Sequence, residues 1–291
     1  MATTAPVTAP TIVPERAPAE RRWVAPRSIG LILAVSLIVA LALIAILAPV
    51  IAPFDPIKQD LTNPIAGPSA RHLLGTDEFG RDVLSRLIWG TRPALLGVLV
   101  AIATASVIGI PWGLIAGYAG GTVDLVLMRA ADALLVLPGL VIALAITTAL
   151  GANLTNAMLA VGIIFSPAVA RVLRSGVLTV RDREFVVVTR LYGLRSGHRM
   201  LHHVLPNAMA PAMVQITLLT GISLLAQAAL GFLGIGVEPP SPAWGDSLSA
   251  AYKFILIDPA ATFAPGITIV FTVLAVYRIG DYLRQRLEIP T

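Results

Sequence analysis

Five long runs of the chain carry no charged residue: Ser28 to Phe54, Pro93 to Val123, Ala133 to Ala170, Val204 to Val237 and Pro259 to Tyr277. A helix needs about 20 apolar residues to cross about 30 Å of hydrocarbon, so each run predicts at least one membrane span. The third run is too long for one helix. Gly151-Ala-Asn-Leu-Thr-Asn156 in its middle is a turn signal, which divides it into two. The pattern therefore predicts an all-α polytopic membrane protein with six transmembrane helices, over residues 28–291.

Between the third and fourth runs lies a polar, arginine-rich island, Arg181 to Asn207. From Arg183 onward it can form a short helix with Phe185, Val188 and Leu191 or Tyr192 along one side and Arg183, Glu184 and Arg190 elsewhere. Gly193 would end that helix, and Pro206 would begin the next span. Such an amphipathic helix either rests on lipid or inserts its apolar side into a groove on a partner protein.

Composition agrees with the pattern. With 56% hydrophobic and 13% charged residues, the chain has too few charges to coat a soluble globule of its length. An even number of spans puts both termini on one side, and the side that receives the termini and the island collects most of the arginines. By the positive-inside bias both termini are cytoplasmic. Arg81, Arg86 and Arg92 run against that count. The net charge of +5 calls for no nucleic acid; membrane lipids, as an anionic leaflet, account for most of the excess. Residues 1–27, with five prolines among small and charged residues, cannot bury a core and are expected to be a disordered cytoplasmic tail. The absence of cysteine excludes disulfides and thiol chemistry within the chain.

Within the second run Gly109, Gly113, Gly117 and Gly121 recur every fourth residue, a ridge along which another helix can approach closely. Asp132 stands three residues after Arg129, a spacing that allows an ion pair on one helix face. Gly75-Thr-Asp-Glu-Phe-Gly-Arg-Asp82 has phosphate-loop glycine spacing but lacks the lysine and the Mg²⁺-binding hydroxyl; Thr76 or Asp77 reads better as a helix cap. His198, His202 and His203 share their segment with Arg195 and Arg199, which oppose a divalent cation. Protease and hydrolase motifs are absent from the sequence, so no catalytic residue, cofactor-binding residue or metal ligand is expected.

Gly193 followed thirteen residues later by Pro206, with Leu205 before it, resembles the cytoplasmic coupling motif of ABC importer permeases, Glu-Ala-Ala-x-x-x-Gly-x₉-Ile-x-Leu-Pro. Val187-Val188-Thr189 stand where Glu-Ala-Ala is expected, and Glu184, one helical turn earlier, offers a substitute acid. His72 to Arg86, Gly117 to Asp124, Leu230 to Gly245 and Gly280 to Arg284 are similar, in order, to the C-type permease of oligopeptide, dipeptide and nickel importers.

That resemblance implies a type I ABC importer permease fold in a bacterial inner membrane, with a coupling segment over 177–206 and extracytoplasmic loops over 55–92 and 231–258. It implies a homologous second permease subunit, two ATPase subunits or one fused ATPase, and an extracytoplasmic solute-binding protein. ATP and Mg²⁺ would belong to the ATPases. The implied cargo is oligopeptide or dipeptide, with nickel or another small solute as the alternative. A self-sufficient secondary transporter would show internal repeats and polar, broken helices near mid-membrane; no clear repeat is present, and polar groups within the apolar runs are sparse.

Overall fold

Every long apolar run becomes helix, because backbone groups without access to water must pair within their own segment. The computed structural model describes residues 27–287, and the tail expected at the N-terminus lies outside the described residues apart from Arg27. Helix α1 (Arg27–Ile51) is apolar all round and buries only Ala34, Leu41 and Ala48 among its hydrophobic residues. A recurrence every seven residues makes a narrow seam, which packs on the second and the last helix.

Helix α2 (Val83–Ala119) runs for 37 residues. At the usual rise that is about 55 Å. Its cap is Asp82, whose carboxylate accepts from the Ser85 backbone N–H and hydroxyl. Thr76 and Asp77, the caps expected from sequence, lie in the preceding turn instead, where the Thr76 hydroxyl donates to the Asn63 carbonyl and Asp77 meets Arg81. At the other end of α2, Gly120 and Gly121 take φ of 64° and 54°, a region open to glycine. There the chain turns into α3 (Gly121–Val136).

Helix α3 and helix α4 (Gly139–Leu150) meet at a bend of 92°. Leu137 precedes Pro138, whose ring disfavours the helical conformation for its neighbour. Leu137 is accordingly extended, at ψ 141°. The turn predicted at Gly151 follows, with φ 103°, and Asn153 caps helix α5 (Leu154–Val180) by accepting from the Asn156 N–H.

A short helix α6 (Glu184–Leu191) leads to α7 (Ser196–Arg199), a π-helical turn (Met200–Val204) and α8 (Leu205–Phe232). Pro206 therefore does not start a span: the helical run is continuous from Ser196 to Phe232. Proline in a helix lacks an N–H and crowds the carbonyl four residues back, here that of His202, and the wider π turn at this point relieves both demands. Helix α9 (Trp244–Tyr252) and helix α10 (Pro259–Arg286) complete the chain. Asp258 caps α10, and Pro259 takes its first position, where a missing N–H costs nothing.

Five helices are long and apolar enough to cross a membrane, and the bent α3–α4 pair makes a sixth if counted as one span. Among the described residues the only β pairing is an isolated bridge between Thr76 and Asp82. Helix α5 is the centre of the fold, flanked by α2, α8 and α4. Helix α6 lies at one end of the bundle, with the start of α1 and the end of α10; α9 lies at the opposite end.

Candidate coupling helix and its braced scaffold

The tightest packing is between α2 and α5. A Cβ on Gly109 would sit 2.6 Å from the Ser166 carbonyl oxygen, one on Gly113 2.3 Å from that of Ala170, and one on Gly117 2.8 Å from the Val177 Cβ. Gly162 of α5 reciprocates, 2.5 Å from the Ala101 carbonyl. The glycine ridge thus joins helices of this one chain. Gly121 is not part of it: the residue lies beyond the end of α2 with open space where a Cβ would stand, because the helix has already broken at Gly120.

Two arginines of α5 hold α3. Arg174 grips Asp124 with both Nε and a terminal nitrogen, and Arg171 pairs with Asp132. The expected Arg129–Asp132 pair is replaced by this interhelical one. Position 171 on α5 faces the Asp132 side of α3, so the carboxylate meets a guanidinium across the helix interface and not along its own helix. Arg181, the residue that caps α5, ties the same end to α2 instead, donating to the Gly117 carbonyl at 2.8 Å.

Helix α6 rests on this scaffold by one side chain. Val186 is buried in a cluster with Leu173, Val177, Val180, Val204 and Ala208, drawn from α5, the π turn and α8. Around it Phe185, Val187 and Val188 are about two-fifths exposed, and Leu191 and Tyr192 are 80% exposed. Glu184 stands in the first turn and Arg190 in the last, and both complement the helix dipole. Arg183 provides the N-cap through its backbone, and the Thr189 hydroxyl donates to the Val186 carbonyl.

Gly193 ends the helix as expected, and the reason is its φ of 72°. The Gly193 N–H donates to the Arg190 carbonyl at 3.0 Å and the Leu194 N–H to that of Thr189 at 3.2 Å. These are the paired bonds of a Schellman turn. Leu205 and Pro206 stand at the foot of α8, directly after the π turn. His198 and His202 stack at 4.2 Å between ring centroids, and no cluster of three or more metal-ligating side chains occurs among the described residues.

The opposite end is rigidly braced. Trp244 of α9 is buried, donates to the Leu87 carbonyl at 3.0 Å and covers Gly90, where a Cβ would come within 2.9 Å of its ring. Gly245 lets α9 touch α8, since a Cβ there would lie 2.4 Å from the Ala228 carbonyl. The arginines that run against the charge count are structural. Arg81 pairs with Asp77, Arg86 donates to the Pro56 and Pro240 carbonyls, and Arg92 donates to carbonyls of α1. Burial pushes the Asp246 carboxyl up to about 6 in spite of the opposing Arg86 charge, because a low-dielectric site disfavours the charged form. Sequence reasoning missed this brace because its partners are far apart in the chain. A cavity of about 920 Å³ opens beside it, between the end of α1, Trp89 of α2, the α4–α5 turn and residues 236–242.

Residues 109–289 match the model of the binding-protein-dependent transport system inner membrane component family. The chain belongs to this family. Its membership covers the glycine ridge, α6, α8, α9 and α10, and makes the protein a multi-pass membrane permease component. The chain is 43% identical over 250 residues to the di/tripeptide transport system permease protein of Pseudomonas aeruginosa, covering 84% of this chain and 82% of that one. It is 40% identical over 260 residues to the dipeptide transport system permease protein of Alkalihalophilus pseudofirmus, covering 89% and 84%. It is 34% identical over 252 residues to the glutathione transport system permease protein of Escherichia coli, covering 86% and 83%. A solved structure of the inward-facing MetNI methionine ABC transporter shares the fold, with a TM-score of 0.58 at 16% identity over 69% of this chain and 96% of that chain.

Proposed function

We propose that this chain is one of two homologous permease subunits of an ATP-driven importer of short peptides in a bacterial plasma membrane. The observation that carries the mechanism is α6, a helix pinned by a single buried valine that offers five exposed apolar side chains to whatever docks there. An ATPase, as two subunits or one fused chain, receives Phe185, Val187, Val188, Leu191 and Tyr192 in a groove. Arg183, Glu184, Thr189 and Arg190 supply the polar rim. The bent α3–α4 pair acts as the sixth span, both termini and α6 face the cytoplasm, and the α9 end faces outward to an extracytoplasmic solute-binding protein. ATP and Mg²⁺ stay with the ATPases, and this subunit carries no catalytic residue.

The coupling is mechanical. Closure of the ATPases displaces α6, and because Val186 is packed against both α5 and α8, the displacement reaches two spans at once. The free energy comes from the difference in ATPase affinity for the two conformations. The peptide cargo is supported by the names of the relatives that match over most of the chain.

Leu191→Asp and Gly193→Pro test the docking role in the co-expressed complex. Both variants are expected to lose co-purifying ATPase and labelled-dipeptide uptake while the membrane domain stays monodisperse. Normal ATPase retention and uptake in both would overturn it. Labelling of a cysteine introduced at Ser241 from the external face tests the orientation, and labelling from the cytoplasmic face alone would reverse it.

A further inference from the structure

Helices α8 and α10 enclose a groove of about 390 Å³ near the foot of α10. Val214, Leu218 and Leu274 form its apolar wall, and Arg278 and Arg284 its polar end. From Pro259 to Tyr277, α10 carries no charge. That stretch measures about 28 Å at the helical rise, close to the hydrocarbon thickness of a bilayer. Tyr277 lies in the groove at the boundary, where amphipathic rings sit at headgroup level. The apolar wall therefore falls at acyl depth, while Arg278, directly after Tyr277, and Arg284, about 9 Å further along the helix axis, fall within the headgroup layer.

Arg278 is exposed and has no ion pair or hydrogen bond among the described residues. Its guanidinium borders Gly30 of α1, at 3.7 Å from where a Cβ would be, so α1 forms a flank of the polar end. Arg284 meets Asp281 at 3.4 Å, both about half exposed. Two guanidinium groups against one carboxylate leave the groove cationic. Leu274 is 53% exposed.

We propose that this groove binds an anionic phospholipid, its phosphate at Arg278 and Arg284 and an acyl chain along Leu274, Leu218 and Val214. Basic pockets between spanning helices recognise anionic headgroups because the low-dielectric edge of the bilayer strengthens the attraction, while the apolar wall holds the chain. The N-terminal segment of the same chain is a poor occupant. Residues 1–26 carry three arginines against two glutamates, a charge that the groove repels.

Tryptophan quenching tests the site. In the full chain reconstituted in phosphatidylcholine bilayers, quenching of a Leu274→Trp reporter by brominated phosphatidylglycerol or brominated phosphatidylcholine is read as the difference from the same chain without the reporter, whose four native tryptophans give the background. The anionic lipid is expected to be preferred about fivefold, the ratio that one surface arginine supplies. Arg278→Gln with Arg284→Gln should bring the preference to about one, and lysine at both positions should keep it. A Phe263→Trp reporter, exposed at the other end of α10, should show no preference. Equal quenching at position 274, or a preference that survives both glutamines, would overturn the proposal. So would quenching by neither lipid until residues 1–26 are removed, which would assign the groove to the tail. Both leaflets carry the brominated lipid, so the readout does not depend on the orientation proposed above.

Discussion

The Nε of Arg92 donates to the carbonyl of Ala45, the acceptor that Pro49 leaves without a partner four residues on. A second nitrogen of Arg92 reaches the Ile46 carbonyl at 3.1 Å. A proline in the last turn of α1 thus creates a vacancy that an arginine of α2 fills, fastening two spans that otherwise share only a narrow apolar seam.

Arg92→Ala is expected to destabilise the protein by about 2 kcal/mol, the usual worth of a charge-assisted hydrogen bond. Pro49→Ala restores the missing N–H, so the same arginine substitution should cost about half as much in that background. A double-mutant cycle on detergent unfolding midpoints measures the coupling, and additive effects would remove the link between the two residues.

The α2–α5 contact predicts opposite outcomes for two glycines of the same spacing. Gly113→Ala forces a methyl against the Ala170 backbone. It should cost about 3 kcal/mol, since a carbonyl cannot rotate away. Gly121→Ala meets open space and is penalised only for its positive φ, by about 1 kcal/mol. Thermal unfolding of the two purified variants separates them.

The raised carboxyl of Asp246 predicts a pH dependence. Its ordinary value is 3.8 and the folded value about 6, so between those pH values the native state binds more protons than the unfolded one. Stability contributed through this group is therefore lost as pH rises from about 4 to 6 and stays lost above. Asp246→Asn should flatten that window and raise stability at pH 7 by on the order of 1 kcal/mol, a figure reduced for the partial exposure of the side chain. Urea midpoints measured from about pH 4 to 7 give the comparison.

The two α3–α5 ion pairs should differ in strength. Arg174 and Asp124 form a bidentate pair with side chains 30% and 15% exposed, whereas Arg171 and Asp132 are 51% and 49% exposed. A double-mutant cycle is expected to give about 1–2 kcal/mol for the first and under about 0.5 kcal/mol for the second.

Much of the candidate coupling site is legible in the sequence because its signals are local. The start of α6 near Arg183, its exposed Phe185, Val188 and Leu191, and its stop at Gly193 all follow from spacing within one short segment. Pro206 misleads because proline usually opens or breaks a helix, and nothing in the sequence announces the π turn that absorbs it. Gly121 shares the period of the ridge, but the doubled glycine at 120 and 121 is the signal that the helix ends there. Spacing points Asp132 to Arg129, because neighbours along one helix are visible in a sequence and the facing surface of α5 is not.

By itself the sequence determined that this chain crosses a membrane several times, where the apolar runs lie, and that a polar helix interrupts them. Those properties follow from segment length and from the cost of leaving backbone groups unpaired in lipid, which each stretch must meet alone. The tertiary structure decided which partners meet. It turned the glycine ridge toward α5, drew Arg171 and Arg174 onto α3, gave Arg92 the carbonyl vacated by Pro49 and buried Trp244 against Gly90. Such pairings depend on two surfaces fitting at van der Waals distance, a property that neither segment carries without the other.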